Sequence, residues 1–250
     1  TNGLVGYWSF DGLDVSGQRA YDKSGSGFTG TMAGNIASTT GRIGQGLILD
    51  GANDDIQMGD VLDFDRTDPL AISAWYKVNF TSTNGTFSLV SKENGSTGYL
   101  LIIDGSLAND PFDFIIRQTT TTNEIRVNFP RPNDTAWHHV VVTYSGSGNA
   151  SGVSAYIDGV KQTATTAVDN FTGSSVNSVS FTIGSRPGSL WWPGSADEIR
   201  VYNRAISSDE VRRLYKIGST LKLNAPTYAG LDTGLVGYWK IDDGSGSTVA

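Results

Sequence analysis

With 250 residues, the chain can form one large all-β domain or two small ones, and its formal net charge is −7. Such an acidic surface repels phosphate backbones, so we expect no nucleic-acid partner. No apolar run approaches the roughly 20 residues that span a bilayer and no signal peptide is recognisable, so we expect no membrane insertion. The absence of cysteine excludes thiol catalysis, disulfides and thiolate metal sites.

Apolar residues alternate with polar ones in many short segments, separated by turns rich in glycine, serine and asparagine. In chain order, the predicted strands cover about residues 4–10, 28–32, 44–51, 55–59, 70–80, 86–92, 99–104, 112–118, 124–129, 136–145, 152–158, 160–165, 179–184 and 196–202. Asp158-Gly159 predicts a type I′ turn between two of them. Strands this numerous and closely spaced predict a two-sheet sandwich of jelly-roll type.

A single helix is predicted after the last strand. Ser207 and Glu210 form a capping box, which predicts a helix from about Ser208 to Lys216. Val211, Leu214 and Tyr215 give this helix one apolar side, and Gly218 is expected to end it.

The sequence Gly-Leu-Val-Gly-Tyr-Trp occurs twice, at Gly3–Trp8 and at Gly234–Trp239. The interval is about one domain long, so the second copy resembles the opening strand of a truncated second repeat. We therefore predict a domain over residues 1–218, a linker over 219–233 and the start of a second repeat over 234–250. The chain begins without Met, which is typical of a fragment excised from a longer tandem-repeat protein.

Seven segments carry recognisable motifs: Gly3–Asp11, Asp22–Gly25, Gly41–Gly51, Ala71–Tyr76, Trp137–Tyr144, Tyr156–Gly159 and Gly194–Ser207. In this order they resemble the motifs of a laminin G-like domain of the concanavalin A-like lectin/glucanase superfamily. The resemblance implies an all-β, two-sheet antiparallel jelly-roll β-sandwich with one short C-terminal helix. Because this fold hosts lectins, adhesion domains and glycan-cleaving enzymes, it does not by itself assign a function.

Catalysis is not expected. The glucanases of this superfamily use two glutamates on one strand in a Glu-x-Asp-x-(x)-Glu pattern, and none of the four glutamates, Glu93, Glu124, Glu198 and Glu210, lies in such a pattern. Asp197 and Glu198 are adjacent on a predicted strand and should point to opposite faces. His138 and His139 alternate in the same way, one inward and one on the surface, so they cannot chelate one ion together.

The resemblance also implies a structural Ca²⁺ between the end of the first strand and the closing strand. The corresponding positions here are Asp11, the carbonyl of about Gly46, and Asp197, all oxygen donors of the kind that Ca²⁺ prefers. The alternative is that Asp197 caps backbone amides at a strand junction. A second acidic group, between Asp50 and Asp68, is interpreted either as solvated turn carboxylates or as a rim Ca²⁺ site.

Sugar recognition usually needs an aromatic ring that stacks on a pyranose, together with polar groups that bind its hydroxyls. Trp191 and Trp192 lie between two Pro-Gly pairs, in a loop where both rings cannot easily be buried. The resemblance places an aromatic ring near Trp192 inward, so Trp191 is the better exposed candidate; the alternative is a plug over the core. We predict a ligand site of Trp191, Trp192 and Arg186. The tryptophans at positions 8, 75 and 137 lie in alternating strands and are predicted to be core residues.

Arg117 and Arg126 could supply further donors to a glycan or could pair with surface carboxylates. The sequence thus favours a non-catalytic binding module of a secreted or cell-surface tandem-repeat protein. The lack of cysteine in an extracellular module favours a bacterial origin. Its partner would be a polysaccharide or glycoconjugate. The alternative is a structural spacer or an adhesion domain that binds other surface proteins. A groove floored by Trp191 would favour the first, and a flat face covered by glycine and threonine the second.

Overall fold

The computed structural model describes residues 2–80, 85–119 and 122–220. The predicted start of a second repeat (234–250) and residues 221–233 of the predicted linker lie outside the described residues. Within them the chain forms one compact unit, with 18 strands and one α-helix. The strands are β1 (Leu4–Trp8), β2 (Val15–Ser16), β3 (Arg19–Ala20), β4 (Gly30–Ala33), β5 (Ala37–Thr40), β6 (Gln45–Asp50), β7 (Asp55–Gln57), β8 (Leu70–Val78), β9 (Thr86–Glu93), β10 (Gly98–Asp104), β11 (Phe112–Thr119), β12 (Asn123–Phe129), β13 (His138–Tyr144), β14 (Val153–Ile157), β15 (Val160–Lys161), β16 (Thr165–Asp169), β17 (Thr182–Ile183) and β18 (Pro193–Tyr202); the helix is α1 (Ser208–Thr220).

Two antiparallel sheets confirm the predicted sandwich. One has eight strands in the order β15-β14-β13-β8-β18-β6-β5, with β1 also paired to β18. The other has ten strands in the order β16-β12-β11-β10-β9-β17-β7-β4-β3-β2. The short strands β2, β3 and β5 were not predicted. The predicted strand 160–165 is two strands, because β15 pairs with β14 in the first sheet and β16 with β12 in the second.

The main core lies between the sheets and follows the alternation of the strands. In β10, for example, Tyr99, Leu101 and Ile103 join the core, whereas Leu100 and Ile102 form a small apolar cluster on the other face of the sheet. Each sheet therefore has an inner face that packs against the other sheet and an outer face that does not. The outer faces carry the candidate sites described below.

The tryptophans are not all buried where the sequence predicted. Trp8 and Trp192 are fully buried in the main core. Trp75 is buried too, but on the outer face of the eight-stranded sheet, where its ring stacks on that of Tyr215 in α1 at a centroid distance of 5.6 Å. Trp137 is only half-buried, so its assignment to the core was wrong; it precedes β13 instead of lying within it.

Local turn and cap signals are confirmed. Asp158 and Gly159 have φ angles of 51° and 76°, as a type I′ turn requires. In the capping box, the Ser207 amide donates to Glu210 Oε2 at 2.8 Å, and the Glu210 amide donates to Ser207 Oγ at 3.3 Å. Together these contacts fix the start of α1 at the predicted residue.

The predicted end of α1 was wrong, because the helix continues through Gly218 to Thr220. Gly218 instead allows close packing. A Cβ atom at this position would lie 2.5 Å from the Trp75 ring, which is closer than Cβ contacts occur. The glycine thus lets the last turn of α1 lie directly against the outer face of the eight-stranded sheet.

Candidate functional site

A β-bulge in β18 shapes the first candidate site. Ala196 and Ile199 both belong to the core, so the two residues between them, Asp197 and Glu198, lie together on the outer face. Glu198 takes a φ of 55° to do so. The expectation that Asp197 and Glu198 point to opposite faces was therefore wrong, because it assumed an uninterrupted alternation.

The bulge also marks a change of neighbour. Residues 193–196 of β18 pair with β6, whereas residues 199–202 pair with β1. Asp197 and Glu198 thus lie where two strands on the same edge of β18 end. The gap between the ends of β6 and β1 is closed by residues Gly41–Gly46, a turn whose last two residues are the first two of β6.

The Asp197 carboxylate is fully buried in this gap. Its Oδ2 accepts hydrogen bonds from the backbone amides of Arg42 (2.6 Å) and Ile43 (2.9 Å), whereas its Oδ1 is buried with no hydrogen-bond partner in the described part of the chain. Burial, reinforced by the charges of Glu198 and Asp11, raises the pKa of Asp197 to about 8 against the opposing backbone hydrogen bonds.

The turn contains one of the predicted calcium ligands, Gly46, and its amides bind the other two, Asp11 and Asp197. Asp11 Oδ1 accepts the Gln45 amide at 2.7 Å, and burial raises the pKa of Asp11. A Cβ added to Gly46 would lie 3.3 Å from the Asp197 Cβ, and one added to Gly41 would lie 2.6 Å from Asp197 Oδ2. Glycines in this turn therefore let the backbone wrap closely around the carboxylate.

Unlike Asp197, Glu198 has protein partners for both of its carboxylate oxygens. Its Oε1 accepts the Tyr7 hydroxyl at 2.9 Å, and its Oε2 pairs with the guanidinium of Arg200. The Arg200 guanidinium also lies over the Tyr7 ring, 4.2 Å from its centroid. Burial raises the pKa of Glu198, although the Arg200 charge opposes this rise. Glu198 thus belongs to a closed ion-pair group beside the Asp197 site.

The donor set fits a hard cation. Asp197 Oδ1 is a buried acceptor without a partner, and Asp11 adds a second carboxylate beside it. In residues 2–80, 85–119 and 122–220, no three acidic or histidine side chains form a metal site by themselves. Backbone carbonyls, such as that of Gly46, would therefore have to complete the coordination. Asp197 Oδ2 also accepts two backbone amides. A role as a backbone cap and a role as a calcium ligand are therefore compatible for this residue.

The second acidic group serves the turns in which it lies. Asp54 accepts the amides of Asn35 (2.6 Å) and Asp50 (2.9 Å). Asp60 pairs at 2.6 Å with Lys92, whose side chain is only 1% exposed. Lys92 also donates to two backbone carbonyls in the segment 177–179. These contacts favour the interpretation as turn carboxylates, since a lysine already neutralises part of the group.

The two histidines point to opposite faces of β13, as predicted, but the buried one, His139, lies on the outer face between Trp75 and Tyr215 and not in the main core. His139 is 1% exposed, and burial lowers its pKa to about 3. His138 lies at the surface, with Nδ1 at 2.7 Å from Asp158 Oδ2 and Nε2 at 2.9 Å from Asp134 Oδ1. These two hydrogen bonds, that to Asp158 first, raise the pKa of His138.

The predicted ligand residues lie in the loop that connects β17 to β18. Trp192 cannot contact a ligand, because its ring is fully buried and meets that of Tyr76 edge-on at 6.1 Å; its assignment to the ligand site was wrong. Trp191 is half-buried. Arg186 Nε donates to Ser189 Oγ at 2.9 Å, and Arg186 Nη1 lies 3.7 Å from Glu93 Oε2.

Arg186 thereby joins a row of charges on the outer face of the ten-stranded sheet. In register across β9, β10, β11 and β12 lie Glu93, Gly98, Arg117 and Glu124. Arg117 Nη2 donates to Glu93 Oε1 at 3.1 Å, and Arg117 Nη1 lies 3.5 Å from Glu124 Oε2. Gly98 has no side chain, so the guanidinium and the Glu93 carboxylate meet across it.

A second group lies on the same face. Arg126 in β12 pairs with both Asp104 in β10 and Asp113 in β11, and Asn128 donates to Asp113. Burial raises the pKa of Asp113 to about 6, although the Arg126 charge opposes the rise. We call the three arginines Arg117, Arg126 and Arg186, with their carboxylates Glu93, Asp104, Asp113 and Glu124, the arginine face.

The arginine face is layered. The side chains of Glu93, Asp113 and Glu124 are at most 1% exposed, whereas those of Arg117, Arg126 and Arg186 are 10%, 24% and 25% exposed. In this layer Glu93 Oε2, both Glu124 carboxylate oxygens and Arg117 Nε have no hydrogen-bond partner among the described residues, although Glu93 Oε2 and Glu124 Oε2 lie within ion-pair distance of Arg186 and Arg117. The guanidinium groups thus form the surface and the acceptors form its floor.

Glu93 and Glu124 do not resemble a catalytic acid and base. Both carboxylates contact the same guanidinium, that of Arg117. A general acid or base must reach the bond that breaks, and these two side chains are only 0% and 1% exposed. The arrangement is therefore an ion-pair network suited to holding Arg117 in place.

The sequence supported two interpretations of the arginines, either as glycan donors or as partners of surface carboxylates. In the structure they do pair with carboxylates, but with buried ones that the sequence alone did not identify. The available signal was alternation, because Asp113 and Arg117, and likewise Glu124, Arg126 and Asn128, occupy every second or fourth position of a strand. What the sequence could not provide was the register between strands.

No helix among the described residues has the length and apolar character needed to span a bilayer. No curated protein sequence matches the chain. The model of a laminin G family, described as the concanavalin A-like lectin/glucanases superfamily, matches residues 50–212.

Three solved structures illustrate the likeness of the fold. Domain 4 of AbnA, a GH43 extracellular arabinanase from Geobacillus stearothermophilus, in complex with arabinotriose, has a TM-score of 0.62 and 24% identity, over 85% of this chain and 98% of that one. The binding domain of Paraclostridial Mosquitocidal Protein 1 has a TM-score of 0.64 and 16% identity, over 86% and 52%. The binding domain of botulinum neurotoxin DC in complex with SialylT has a TM-score of 0.62 and 12% identity, over 86% and 52%.

The chain spans about half the length of the two toxin structures. At these identities the likeness establishes the fold alone, and it agrees with the two-sheet architecture described above. The match to the family model covers well over half of the sequence. The chain therefore belongs to the concanavalin A-like lectin/glucanases superfamily, as a laminin G-like domain.

Proposed function

We propose that the chain is a non-catalytic carbohydrate-binding module of a secreted or cell-surface protein, and that the arginine face is its glycan site. One observation carries the proposal: Arg126 and Arg186 are partly exposed on one face of a sheet, with the largely buried Arg117 between carboxylates beside them, and buried carboxylates hold all three in place. Guanidinium groups present several N–H donors in a fixed plane, which suits the paired hydroxyls of a sugar.

Preorganisation strengthens this argument. A long arginine side chain that must be ordered on binding costs about 0.5–1.5 kcal/mol. Here Arg126 is ordered by Asp104 and Asp113 in the free protein, and Arg186 by Ser189. Less conformational entropy is then lost when the ligand binds, which matters for a module that binds weakly on its own and gains avidity from tandem copies.

The border of the site supplies apolar surface. Leu190 packs on Leu100, Ile102 and Ile115 beside the charged rows, and the half-buried Trp191 follows it in the chain. A sugar has apolar C–H faces as well as hydroxyls, so a polar face flanked by such residues suits it. The neighbour that was solved with arabinotriose is a domain of the same fold that binds a carbohydrate, which supports the proposal.

A structural Ca²⁺ at Asp11, Gly46 and Asp197 is part of the proposal. The support is the buried Asp197 Oδ1 without a partner and the raised pKa of both carboxylates. The cation would join the turn Gly41–Gly46 to β18 and would stabilise the sandwich without contacting the glycan, because the arginine face belongs to the other sheet.

A glycan array tests the function. We expect the wild-type domain to bind a defined set of glycans, with and without Ca²⁺, and Arg186→Ala to bind them at least about tenfold more weakly, since hydrogen bonds to charged groups contribute about 1.5–3 kcal/mol. Arg212→Ala is the matched control, because Arg212 is an exposed arginine on α1. An array without any ligand for the intact domain would instead favour the structural spacer or protein-binding domain.

A further inference from the structure

We propose that the arginine face selects an uncharged, hydroxyl-rich glycan and discriminates against acidic sugars. This inference rests on the proposed function and adds the chemical class of the ligand. Arginines at a binding surface would ordinarily suggest an acidic ligand, so the distinction depends on how their charge is balanced.

The charge balance of the face is negative. Three guanidinium groups face four carboxylates, Glu93, Asp104, Asp113 and Glu124, which gives a formal charge of −1. Asp55 in β7 adds a further carboxylate to the same outer face, where Ser185 donates to it at 2.8 Å. An anionic sugar would therefore approach a surface of its own sign, within a chain whose net charge is −7.

The donors are already engaged by carboxylates. Arg126 contacts two carboxylates at once, and Arg117 does the same with Glu93 and Glu124. A uronate or sulfate would have to compete with these buried partners for the bidentate edge of a guanidinium. A neutral hydroxyl only needs one of the remaining N–H groups, so it can bind without breaking the ion pairs.

The buried layer beneath the guanidinium groups is negatively charged. Glu93 Oε2 lies 3.7 Å from Arg186 Nη1 and Glu124 Oε2 lies 3.5 Å from Arg117 Nη1, and the two glutamate side chains are 0% and 1% exposed. A ligand therefore meets the guanidinium groups at the surface, and the buried carboxylates act on it only through their charge. That charge opposes an anionic sugar and leaves a neutral one unaffected.

The test compares ligands that differ in charge. Binding of the wild-type domain is measured by calorimetric titration with neutral trisaccharides (arabinotriose, xylotriose and maltotriose) and with trigalacturonate, after the array has ranked neutral against acidic glycans. We expect binding to neutral glycans only, with an affinity that changes less than about twofold between about 50 mM and 500 mM salt, because no net charge is screened.

A pair of variants changes the charge of the face. Glu93→Gln and Glu124→Gln together make its formal charge positive and keep the shape of both side chains. We expect this double variant to gain salt-dependent binding of trigalacturonate. Glu210→Gln, on α1, is the control for the loss of an acidic charge elsewhere and should gain none. A circular dichroism spectrum and melting curve confirm that each variant is folded.

The outcomes separate the two proposals. Wild-type binding that is confined to acidic glycans, or that weakens about tenfold with salt, would overturn the inference and leave carbohydrate recognition standing. Binding of no glycan of either class would overturn the proposed function, and the inference with it. If the double variant does not fold, the salt series on the wild-type protein still decides the question.

Discussion

Asp113→Asn should stabilise the protein at neutral pH, although it removes an ion pair. Asp113 is fully buried beneath Arg126, and burial raises its pKa from 3.8 to about 6. The folded state therefore favours the protonated form of Asp113 more than the unfolded state does. Arg126 and Asn128 offset only part of the cost of burying the charge.

The magnitude follows from linkage. A shift from 3.8 to about 6 is about 2 pKa units, and each unit corresponds to about 1.4 kcal/mol, so the ionised carboxylate costs the folded state about 3 kcal/mol. For a group whose pKa is raised on folding, the stabilisation is complete below the unfolded pKa and is lost as the pH rises through the folded pKa. The loss therefore falls between about pH 4 and pH 6.

Urea unfolding at several pH values measures this effect. The free energy of unfolding of Asp113→Asn minus that of wild type should rise by about 3 kcal/mol between about pH 3.5 and pH 7. Taking this difference cancels the contributions of carboxylates that do not share a partner with Asp113, which leaves only Asp104, joined to it through Arg126, to be considered with it. Asp209→Asn, which removes an exposed charge paired with Arg212 on α1, should stay within about 0.5 kcal/mol of wild type. A variant less stable than wild type at pH 7 would refute the reasoning, since Arg126 would then outweigh the desolvation of Asp113.

Three further predictions concern the other features. Gly218→Ala should destabilise the domain by about 1–2 kcal/mol in urea unfolding, because the clash with Trp75 outweighs the roughly 1 kcal/mol of helix propensity gained; Ser219→Ala is the neighbouring control, and a stabilised Gly218→Ala would contradict the packing argument. His138→Gln should lower the melting temperature most below about pH 6.5, because the raised pKa of His138 gives a stabilisation that is lost as the pH rises through that pKa. A difference in melting temperature that does not depend on pH would exclude a stabilising ion pair of His138 with Asp134 and Asp158. Ca²⁺ should raise the melting temperature of wild type by mass action and leave that of Asp197→Asn unchanged. A wild-type melting temperature that changes with neither Ca²⁺ nor chelator would contradict the proposed cation site.

Local signals in the sequence were sufficient for local structure. The Asp158-Gly159 turn needs only two residues that tolerate positive φ, and the box of Ser207 and Glu210 needs only a spacing of three, so both were predictable. Gly218 shows the limit of such signals. Read alone, a glycine after an apolar stripe ends a helix, but here the contact with Trp75, a residue far away in the chain, decides its role.

The candidate sites depended on information that a single strand does not contain. The β-bulge at Asp197 and Glu198 arises because β18 changes its neighbour from β6 to β1, which is a property of three strands. The row of Glu93, Arg117 and Glu124 requires the register of four strands. Sequence patterns assign each residue to one face of its strand. The strand pairing that places residues of different strands side by side in one site is set by tertiary structure.

The position of β18 has a consequence for synthesis. This strand lies between β8 and β6 and also holds β1, yet it is the last strand in the described part of the chain. On a ribosome, β6 and β8 would each keep an unpaired edge until residues 193–202 emerge. Open edges of this kind invite pairing with other chains, and contacts so distant in sequence form slowly. We therefore expect a nascent chain that stops before Pro193 to aggregate or to bind chaperones, and release of the last segment to be the event that commits the sandwich to fold.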